Sequence, residues 1–473
     1  MKKKLIFAAA AIAMLASCSQ NDLEAPVVGQ AQQSDAIEFG TYLGNGATSR
    51  VDGGAHGTII SAQVLAQKDG FGVFAYYTGK KTYNETNYNG VAADAKIAPN
   101  FMYNQQVTGT DVVTPVWSYS PIKYWPNEIQ NGDVDKQTPA AQGSNDNGGK
   151  VTFFAYGPYV STVGTTGITS ISGNSVKGDP IIGYKVATAG TDVVDLLWGT
   201  KGETGTSVIS GGDTGVTGVA DDGVAPLTYA EALLTGYSTN ADLTKQETDG
   251  KVKFAFKHAL AKFGGYNGLK VIADVDEVKG TADIDNQTKL TVKTITINAS
   301  AKNSANTKYY EHQTGNFNLA TGVWELTGSE VDASYDKTLY TISGDMLNTV
   351  IKDVTGNWDA QPAGVSGSVE TNVYASAANE TQPILFIPGT RPELEVEIEY
   401  VVRTKDTKLA NAYTEVTQKI KKTVTFGSAV EINKYYKLVI RLGLTSVKFD
   451  ATVSDWDAAA GDAQEVNLPL NVN

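Results

Sequence analysis

The side chains that most often carry catalysis or bind metals are scarce in this sequence. The 473 residues include three histidines (His56, His258 and His312) and one cysteine, Cys18. A Cys/His zinc site therefore lacks ligands, and an intrachain disulfide is impossible. No nucleophile elbow, phosphate-binding loop or dinucleotide-binding fingerprint occurs either. We therefore expect a protein that is not an enzyme and that uses no cofactor and no metal.

His258 is the histidine that lies within a strong hydrophobic pattern. It follows Phe254 and Phe256 at alternate positions, so a strand would place all three rings on one face. A general base would need a nucleophile at motif spacing, and none is present. We expect His258 to be a packed side chain with a hydrogen-bond partner.

Two other groups of residues could bind a ligand. Asp274, Asp276, Asp283 and Asp285 cluster, but neither Asp274 nor Asp283 begins a loop with the Gly and Glu that an EF-hand requires. The second group is the six tryptophans, whose rings can stack on sugars. Most of the six lie in strand-like sequence, where core packing is commoner. They are Trp117, Trp125, Trp198, Trp324, Trp358 and Trp456.

The composition indicates an all-β protein with many turns. Glycine contributes 48 residues and tyrosine 23, and the hydrophobic share of 41% is too high for a disordered chain. The formal net charge is −13. Nucleic acid is an unsuitable partner, because binding it requires clustered Lys and Arg to displace counterions from phosphate.

The N-terminal segment predicts export as a lipoprotein. Three lysines at positions 2–4 precede an apolar run over residues 5–15, which is too short to span a bilayer as a mature helix. The run ends in Leu-Ala-Ser-Cys, an arrangement that resembles a bacterial lipobox with Cys18 as the lipidated residue. We predict a signal peptide over residues 1–17. The alternative is an ordinary secretory signal that happens to contain a cysteine.

The body of the chain shows the period-two alternation of strands. Ile37, Phe39, Thr41 and Leu43 alternate with Glu38, Gly40 and Tyr42, which predicts a strand with one buried face. Two strand-rich halves meet near residues 240–250. We expect an N-terminal β-sandwich over residues 51–248 and a C-terminal one over residues 249–473. A single large barrel is the alternative.

The loop after this first strand contains a possible processing site. Arg50 is the sole basic residue between Lys4 and Lys68, and it lies among small residues of the kind that form exposed, protease-sensitive loops. Cleavage after Arg50 would make Val51 the new N-terminus and remove residues 18–50, the tether and first strand. An apolar groove would then open in the N-terminal domain. The alternative is a surface turn with a solvated arginine.

Residues 464–473 predict a terminal strand that buries one face. Val466, Leu468, Leu470 and Val472 alternate with two asparagines and a proline. Burying four such side chains is worth on the order of 6–12 kcal/mol. Pro469 cannot donate to a ladder, which favours an edge or an inserted position. Either the strand closes its own domain, or it is donated to another subunit.

These features together resemble the Bacteroidales fimbrillin (type V pilin) family of lipoprotein precursors. The motifs that carry the resemblance are ordered along nearly the whole chain. Besides the lipobox they are IEFG (37–40), TSR (48–50), FGVFAYY (71–77), NFMYNQQV (100–107), SPIKYWP (120–126), VTFFAYGPY (151–159), VDLLWG (194–199), FKHALAKFGG (256–265) and VSDWD (453–457).

The resemblance implies two transthyretin-like β-sandwich domains in tandem, in a subunit of a cell-surface fimbrium that supports adhesion. It implies a lipid anchor in the outer membrane, cleavage by an arginine-specific protease, and polymerisation with other fimbrial subunits by donor-strand exchange. Arg50 would be the cleavage residue, and Val466, Leu468, Leu470 and Val472 would form the donor strand. The rival hypothesis is a monomeric surface lipoprotein that binds glycans.

The lipobox generates a direct prediction. The Cys18→Ala chain should incorporate no radiolabelled fatty acid, because the cysteine thiol is the group that would receive it. The measurement is metabolic labelling followed by electrophoresis, with the unaltered chain as control. Label retained by the Cys18→Ala chain would contradict the assignment.

Overall fold

The computed structural model describes somewhat more than half of the chain. The described residues are 35–43, 59, 61–88, 90–126, 149–186, 194–203, 233–234, 237–263, 269–273, 275–276, 281–282, 288–298, 314–327, 338–342, 349–352, 370–372, 384–389, 393–442, 447–456, 466–468 and 470–472. The expected all-β class is confirmed, since the helices here are three short ones. They are α1 (Ala62–Gln67), α2 (Tyr83–Asn87) and α3 (Lys245–Thr248). None of the helices in these ranges has the length and apolar character needed to cross a bilayer.

The first twelve strands form one large sheet, one two-stranded sheet and half of a four-stranded sheet. They are β1 (Glu38–Leu43), β2 (Phe71–Gly79), β3 (Met102–Gly109), β4 (Trp117–Ser118), β5 (Lys150–Gly157), β6 (Gly167–Ile171), β7 (Ile181–Lys185), β8 (Leu197–Thr200), β9 (Gly202–Glu203), β10 (Tyr237–Ser238), β11 (Asn240–Leu243) and β12 (Lys251–His258). The large sheet has the order β1-β12-β8-β5-β2-β3-β4, and β11 pairs with β5.

The central strands of this sheet are buried on both faces, which explains their nearly continuous apolar sequence. In β5, Phe153 and Ala155 belong to one hydrophobic cluster, whereas Phe154 and Tyr156 belong to another. We call the first cluster the inner core and the second the main core. The buried residues of the inner core are Ile37, Phe39, Leu43, Ile59, Leu65, Phe71, Val73, Ala75, Met102, Val107, Trp125, Val151, Phe153, Ala155, Leu197, Leu243, Val252, Phe254 and Phe256.

The remaining strands follow along the chain. They are β13 (Ala261–Phe263), β14 (Leu269–Ala273), β15 (Val275–Asp276), β16 (Thr281–Ala282), β17 (Thr288–Asn298), β18 (Thr314–Asn318), β19 (Trp324–Thr327), β20 (Thr338–Ile342), β21 (Thr349–Lys352), β22 (Glu370–Asn372), β23 (Ile384–Phe386), β24 (Glu393–Lys405), β25 (Tyr413–Phe426), β26 (Lys434–Leu442), β27 (Val447–Asp455), β28 (Val466–Leu468) and β29 (Leu470–Val472).

Two sheets in the second half of the chain share the main core. One has the order β22-β14-β26-β13-β23, with β27 on β26 and β28 on β27; the other has the order β20-β17-β24-β25-β29, with β21 on β17. Phe426 of β25 stacks on Tyr436 of β26, with ring centroids 5.5 Å apart. Among the described residues the strands thus lie in separate sheets, not in the single barrel considered as the alternative.

The sheet pairing crosses the expected domain boundary at residue 248. β12 lies beyond that boundary but pairs with β8 and β1 of the first sheet. β18 likewise pairs with β7, within the four-stranded sheet β19-β18-β7-β6. A division of the chain at residue 248 therefore does not follow the hydrogen-bonded sheets. Alternation tells which face a strand buries, but not which sheet it joins.

His258 is packed as expected, at the junction of three distant segments. Its side chain is 1% exposed, and its Nδ1 lies 2.9 Å from an oxygen of the equally buried Asp195. The imidazole stacks on Trp456, with centroids 3.8 Å apart. The backbone N–H of Ile59 donates to Asp195 Oδ2 at 2.8 Å. The carboxylate oxygen that faces the ring is thus shared with a backbone amide, so this His–Asp pair has a structural role.

Candidate functional site: the first strand in its groove

β1 is held along one edge by a parallel ladder. Its six residues pair in register with β12, from Glu38 opposite Lys251 to Leu43 opposite Phe256. The N–H of Glu38 adds a bond to the carbonyl of Gly250, at 3.2 Å. β1 is therefore a terminal strand added to the edge of the large sheet, beside the strand that leads into the second half of the chain.

Residues 35–37, directly before β1, are held from the other side by residues 119–125, which we call the clasp. The N–H of Ile37 donates to the carbonyl of Lys123 at 2.9 Å, and that of Trp125 donates to the carbonyl of Asp35 at 2.8 Å. The Tyr119 hydroxyl donates to the Ile37 carbonyl at 3.0 Å. Burial raises the pKa of the Tyr119 phenol, so this hydroxyl remains a donor well above neutral pH. β1 thus lies between β12 and the clasp.

The side chains of β1 confirm the alternation predicted from the sequence. Ile37 is 1% exposed, Phe39 4% and Leu43 7%, whereas Tyr42 on the other face is 53% exposed. The buried three belong to the inner core. Thr41, on the same face, accepts a 2.9 Å hydrogen bond from the indole Nε1 of Trp117.

Phe39 is the central contact of the strand. Its ring centroid lies 5.2 Å from that of Tyr119 in the clasp and 6.0 Å from that of Phe254 in β12. Phe71 and Phe153, from β2 and β5, lie at 6.2 and 6.1 Å in edge-on geometry. Phe39 therefore joins both walls of the groove to its floor. Loss of β1 would leave this aromatic groove open to water.

The predicted donor strand is paired with its own chain in this structure. β28 pairs with β27, with Val466 opposite Val453 and Leu468 opposite Ala451. β29 pairs with β25, with Leu470 opposite Phe426 and Val472 opposite Val424. Each ladder has three residue pairs, and the two lie on different sheets. The segment is thus held by two short edge ladders, in contrast to the continuous six-residue ladder of β1.

The other residues singled out from the sequence fall in two groups. Cys18, Arg50 and Val51 lie outside the described residues, as do Asp274, Asp283, Asp285 and Trp358. Four of the described tryptophans are buried, at 7% exposure or less, which confirms core packing for them and removes them as sugar platforms. These are Trp125, Trp198, Trp324 and Trp456.

The clasp is the part of the site that the sequence analysis missed. SPIKYWP was noted as a motif, but nothing in it indicates that Lys123 and Tyr124 run beside a strand some 80 residues earlier. Asp195 was also missed, although it occurs in VDLLWG. Pro121 within the clasp and Pro126 directly after it were the available signal, because proline favours sheet edges and irregular strands.

The fold and the site define an all-β protein whose first strand fills an apolar groove at a sheet edge. No family model matches the chain. The chain is similar to fimbrium subunit Fim1C of Phocaeicola vulgatus, with 25% identity over 415 residues that cover 85% of each sequence. The resemblance to Bacteroidales fimbrial proteins is thus confirmed.

Solved structures give the same result for the fold. A fimbrial protein from Bacteroides vulgatus has 20% identity and a TM-score of 0.51, and the alignment covers 89% of this chain and 99% of that one. A candidate cell adhesion protein from Bacteroides uniformis has a TM-score of 0.35 at 12% identity, too low to support an argument. The expectation of a protein that is not an enzyme agrees with these comparisons, since the curated relative and the first solved structure are named as fimbrial proteins.

The packing of Phe39 generates a prediction for the uncut chain. Phe39→Ala should lower the free energy of unfolding by about 3–5 kcal/mol, the usual cost of truncating a buried phenylalanine. The measurement is guanidinium unfolding followed by tryptophan fluorescence. Tyr42→Ala is the matched control on the exposed face and should change the unfolding free energy by about 0.5 kcal/mol or less. Equal effects of the two changes would show that the strand is not seated in the groove.

Proposed function

We propose that this protein is a structural subunit of a cell-surface fimbria and that it polymerises by donor-strand exchange. The observation that carries the proposal is the packing of the first strand. Together with Ile37 directly before it, β1 buries three side chains in an aromatic groove between β12 and the clasp. The similarity to a fimbrium subunit supports the same conclusion.

The groove explains why processing and assembly would be coupled. Burial of Ile37, Phe39 and Leu43 is worth about 1.5–3 kcal/mol for each side chain, and β1 also satisfies backbone groups of both neighbours. While β1 remains covalently attached, no strand from another subunit can compete with it. Cleavage between Arg50 and Val51 makes β1 a separate chain. It can then be replaced by a strand that offers the same burial.

The C-terminal segment is the replacement that we propose. Val466, Leu468, Leu470 and Val472 repeat the spacing of Ile37, Phe39, Thr41 and Leu43, so a single register presents four alternate side chains to the groove. Its ladders with β27 and β25 are three residues each. The segment is therefore held by two separate short ladders, whereas β1 is held by one continuous six-residue ladder.

The maturation pathway follows from the sequence motifs. The lipid on Cys18 anchors the precursor in the outer membrane, an arginine-specific protease cuts after Arg50, and the released subunit joins other fimbrial subunits in a fibre that supports adhesion. Residues 18–50 form the tether and propeptide, and two transthyretin-like β-sandwiches in tandem form the mature subunit. A monomeric glycan-binding lipoprotein has less support, since four of its candidate stacking residues are buried.

One prediction of the proposed function concerns proteolytic processing. The Arg50→Ala chain should form no ladder of multimers after treatment with trypsin at a low enzyme ratio, because β1 stays attached and occupies its groove. The unaltered chain should yield a form that begins at Val51 and forms ladders of multimers. Intact mass and native electrophoresis measure both results. Normal multimers from the uncut Arg50→Ala chain would remove processing from the mechanism.

The second prediction concerns the donor strand. Leu468→Asp with Leu470→Asp should abolish the multimers formed after cleavage, because two carboxylates would enter an apolar groove without partners. Asn467→Asp with Asn471→Asp adds the same charge on the opposite face of the strand and should leave multimers intact.

A chain that ends at Asp462 separates donation from closure of its own domain. Donation predicts that the truncated subunit forms no ladder of multimers and that its melting temperature falls by only a few degrees, because two three-residue edge ladders are lost. Unfolding of the truncated subunit, or a ladder of multimers that persists without the segment, would contradict the proposal.

A further inference from the structure

The long hairpin of β24 and β25 exposes an edge along its outer strand. β25 pairs with β24 over thirteen residues, from Tyr413 to Thr425. A described strand, β29, lies on the other edge of β25 only at Val424–Phe426. Before that point both faces of β25 reach solvent: Val416 is 50% exposed on one face, and the Lys421 side chain is 55% exposed on the other. This long segment has the properties of an edge that can accept another strand.

The sequence of this edge is self-complementary about Gln418. Glu415 lies three residues before Gln418, and Lys421 lies three residues after it. Val416 and Ile420 lie two residues before and after it. In an antiparallel pair of identical strands centred on one residue, positions equally far from the centre face each other. Glu415 of each copy would then face Lys421 of the other. Val416 of each copy would face Ile420 of the other.

We propose that β25 pairs antiparallel with β25 of a second copy of this chain, with Gln418 on the two-fold axis. The proposal concerns an interaction surface separate from the groove of β1 and does not depend on strand exchange. A two-fold contact of this kind is isologous and closes after two copies, whereas donation of a strand from one subunit to the next is a head-to-tail contact.

The register within the hairpin extends the charge complementarity to four strands. Arg403 of β24 lies opposite Glu415, and their side chains form a 2.7 Å ion pair. Glu397 lies opposite Lys421 in the same way, while Lys421 forms its 2.6 Å ion pair with Glu395. Across the proposed contact the side chains of one row would alternate in sign. The row runs from Arg403 and Glu415 of one copy to Lys421 and Glu397 of the other.

The opposite face would form an apolar row by the same symmetry. Val402 lies opposite Val416, and Ile398 lies opposite Ile420. Ile398 is fully buried, and Val402 and Ile420 pack against the main core. Pairing would place Val416, half of whose surface is exposed, against Ile420 of the second copy, and would continue the core across the contact.

Neighbouring registers are less favourable. A shift that places Lys419 on the axis would set Lys419 of one copy against Lys419 of the other. It would also set Val416 against Lys422. A shift that places Thr417 on the axis would set Val416 against Gln418 and Ile420 against Thr414. Like charges or mixed polar and apolar pairs directly opposite each other weaken a sheet. The register centred on Thr417 would also set Glu415 against Lys419, but it separates the two apolar side chains. Of the three registers, only the one centred on Gln418 pairs both the opposite charges and the apolar side chains.

Charge reversal tests the proposal on the full chain that carries Cys18→Ala and Arg50→Ala, which has no lipid and keeps its groove filled by β1. This chain should dimerise in sedimentation velocity experiments. Glu415→Lys and Lys421→Glu should each weaken the homodimer at least tenfold, since like charges then face each other twice. An equimolar mixture of the two variants should form heterodimers with nearly the parental affinity, because every facing pair is again of opposite sign.

The mixture is decisive because each variant also loses an ion pair within its own hairpin, which mixing does not restore. Lys408→Glu in the hairpin turn gives the same charge change away from the contact and should leave dimerisation unchanged. A parent chain that stays monomeric, or a mixture no more associated than its separate variants, would overturn the proposal.

Cross-linking tests the register. Gln418→Cys in the same chain should be joined into dimers by a short bismaleimide, since Cβ atoms directly opposite each other are about 4.5–5.5 Å apart. Val416→Cys is the matched control, because its two copies would lie four residues apart along the strands, roughly 13 Å. Efficient cross-linking of Val416→Cys without that of Gln418→Cys would overturn the register.

Discussion

The structure depends on one constraint: the aromatic groove beside β12 must be filled by a strand. Phe71, Phe153 and Phe254 form its floor and one wall, and they are buried only while a side chain such as Phe39 lies among them. The backbone imposes the same demand, because β12 and the clasp both present hydrogen-bonding groups to β1. The groove can be filled by the first strand of the same chain or by a strand from another molecule. The proposed assembly replaces the first with the second.

β1, the C-terminal segment and the outer edge of β25 differ in how extensively other strands pair with them. β1 pairs with β12 along one edge and is buried along one face, and residues 35–37 just before it bond to the clasp. The C-terminal segment pairs three residues at a time with the edge strands of two sheets. The N-terminal part of β25 carries Glu and Lys side chains that reach solvent. The three segments thus differ in the length of the ladders that hold them and in how much of their side-chain surface is buried.

The elements best predicted from the sequence are those whose pattern is strictly local. The alternation from Ile37 to Leu43 predicted both the strand and its buried face, and the alternation of Phe254, Phe256 and His258 predicted a packed histidine. In each case the side-chain period of two residues fixes the geometry before any partner is known. The choice of sheet is not local in this way, since β12 and β18 pair with strands of the first half of the chain.

By itself, the sequence determined an acidic, all-β chain with a buried first strand, an alternating C-terminal segment and no catalytic constellation. The tertiary structure alone decided what lies beside each strand. It placed the clasp against β1, Asp195 against His258, and the C-terminal segment on two sheets at once. The physical reason is that alternation and hydrophobicity are properties of one segment. Pairing depends instead on the free edges and the shape of a core built from segments hundreds of residues apart, and no local pattern encodes these.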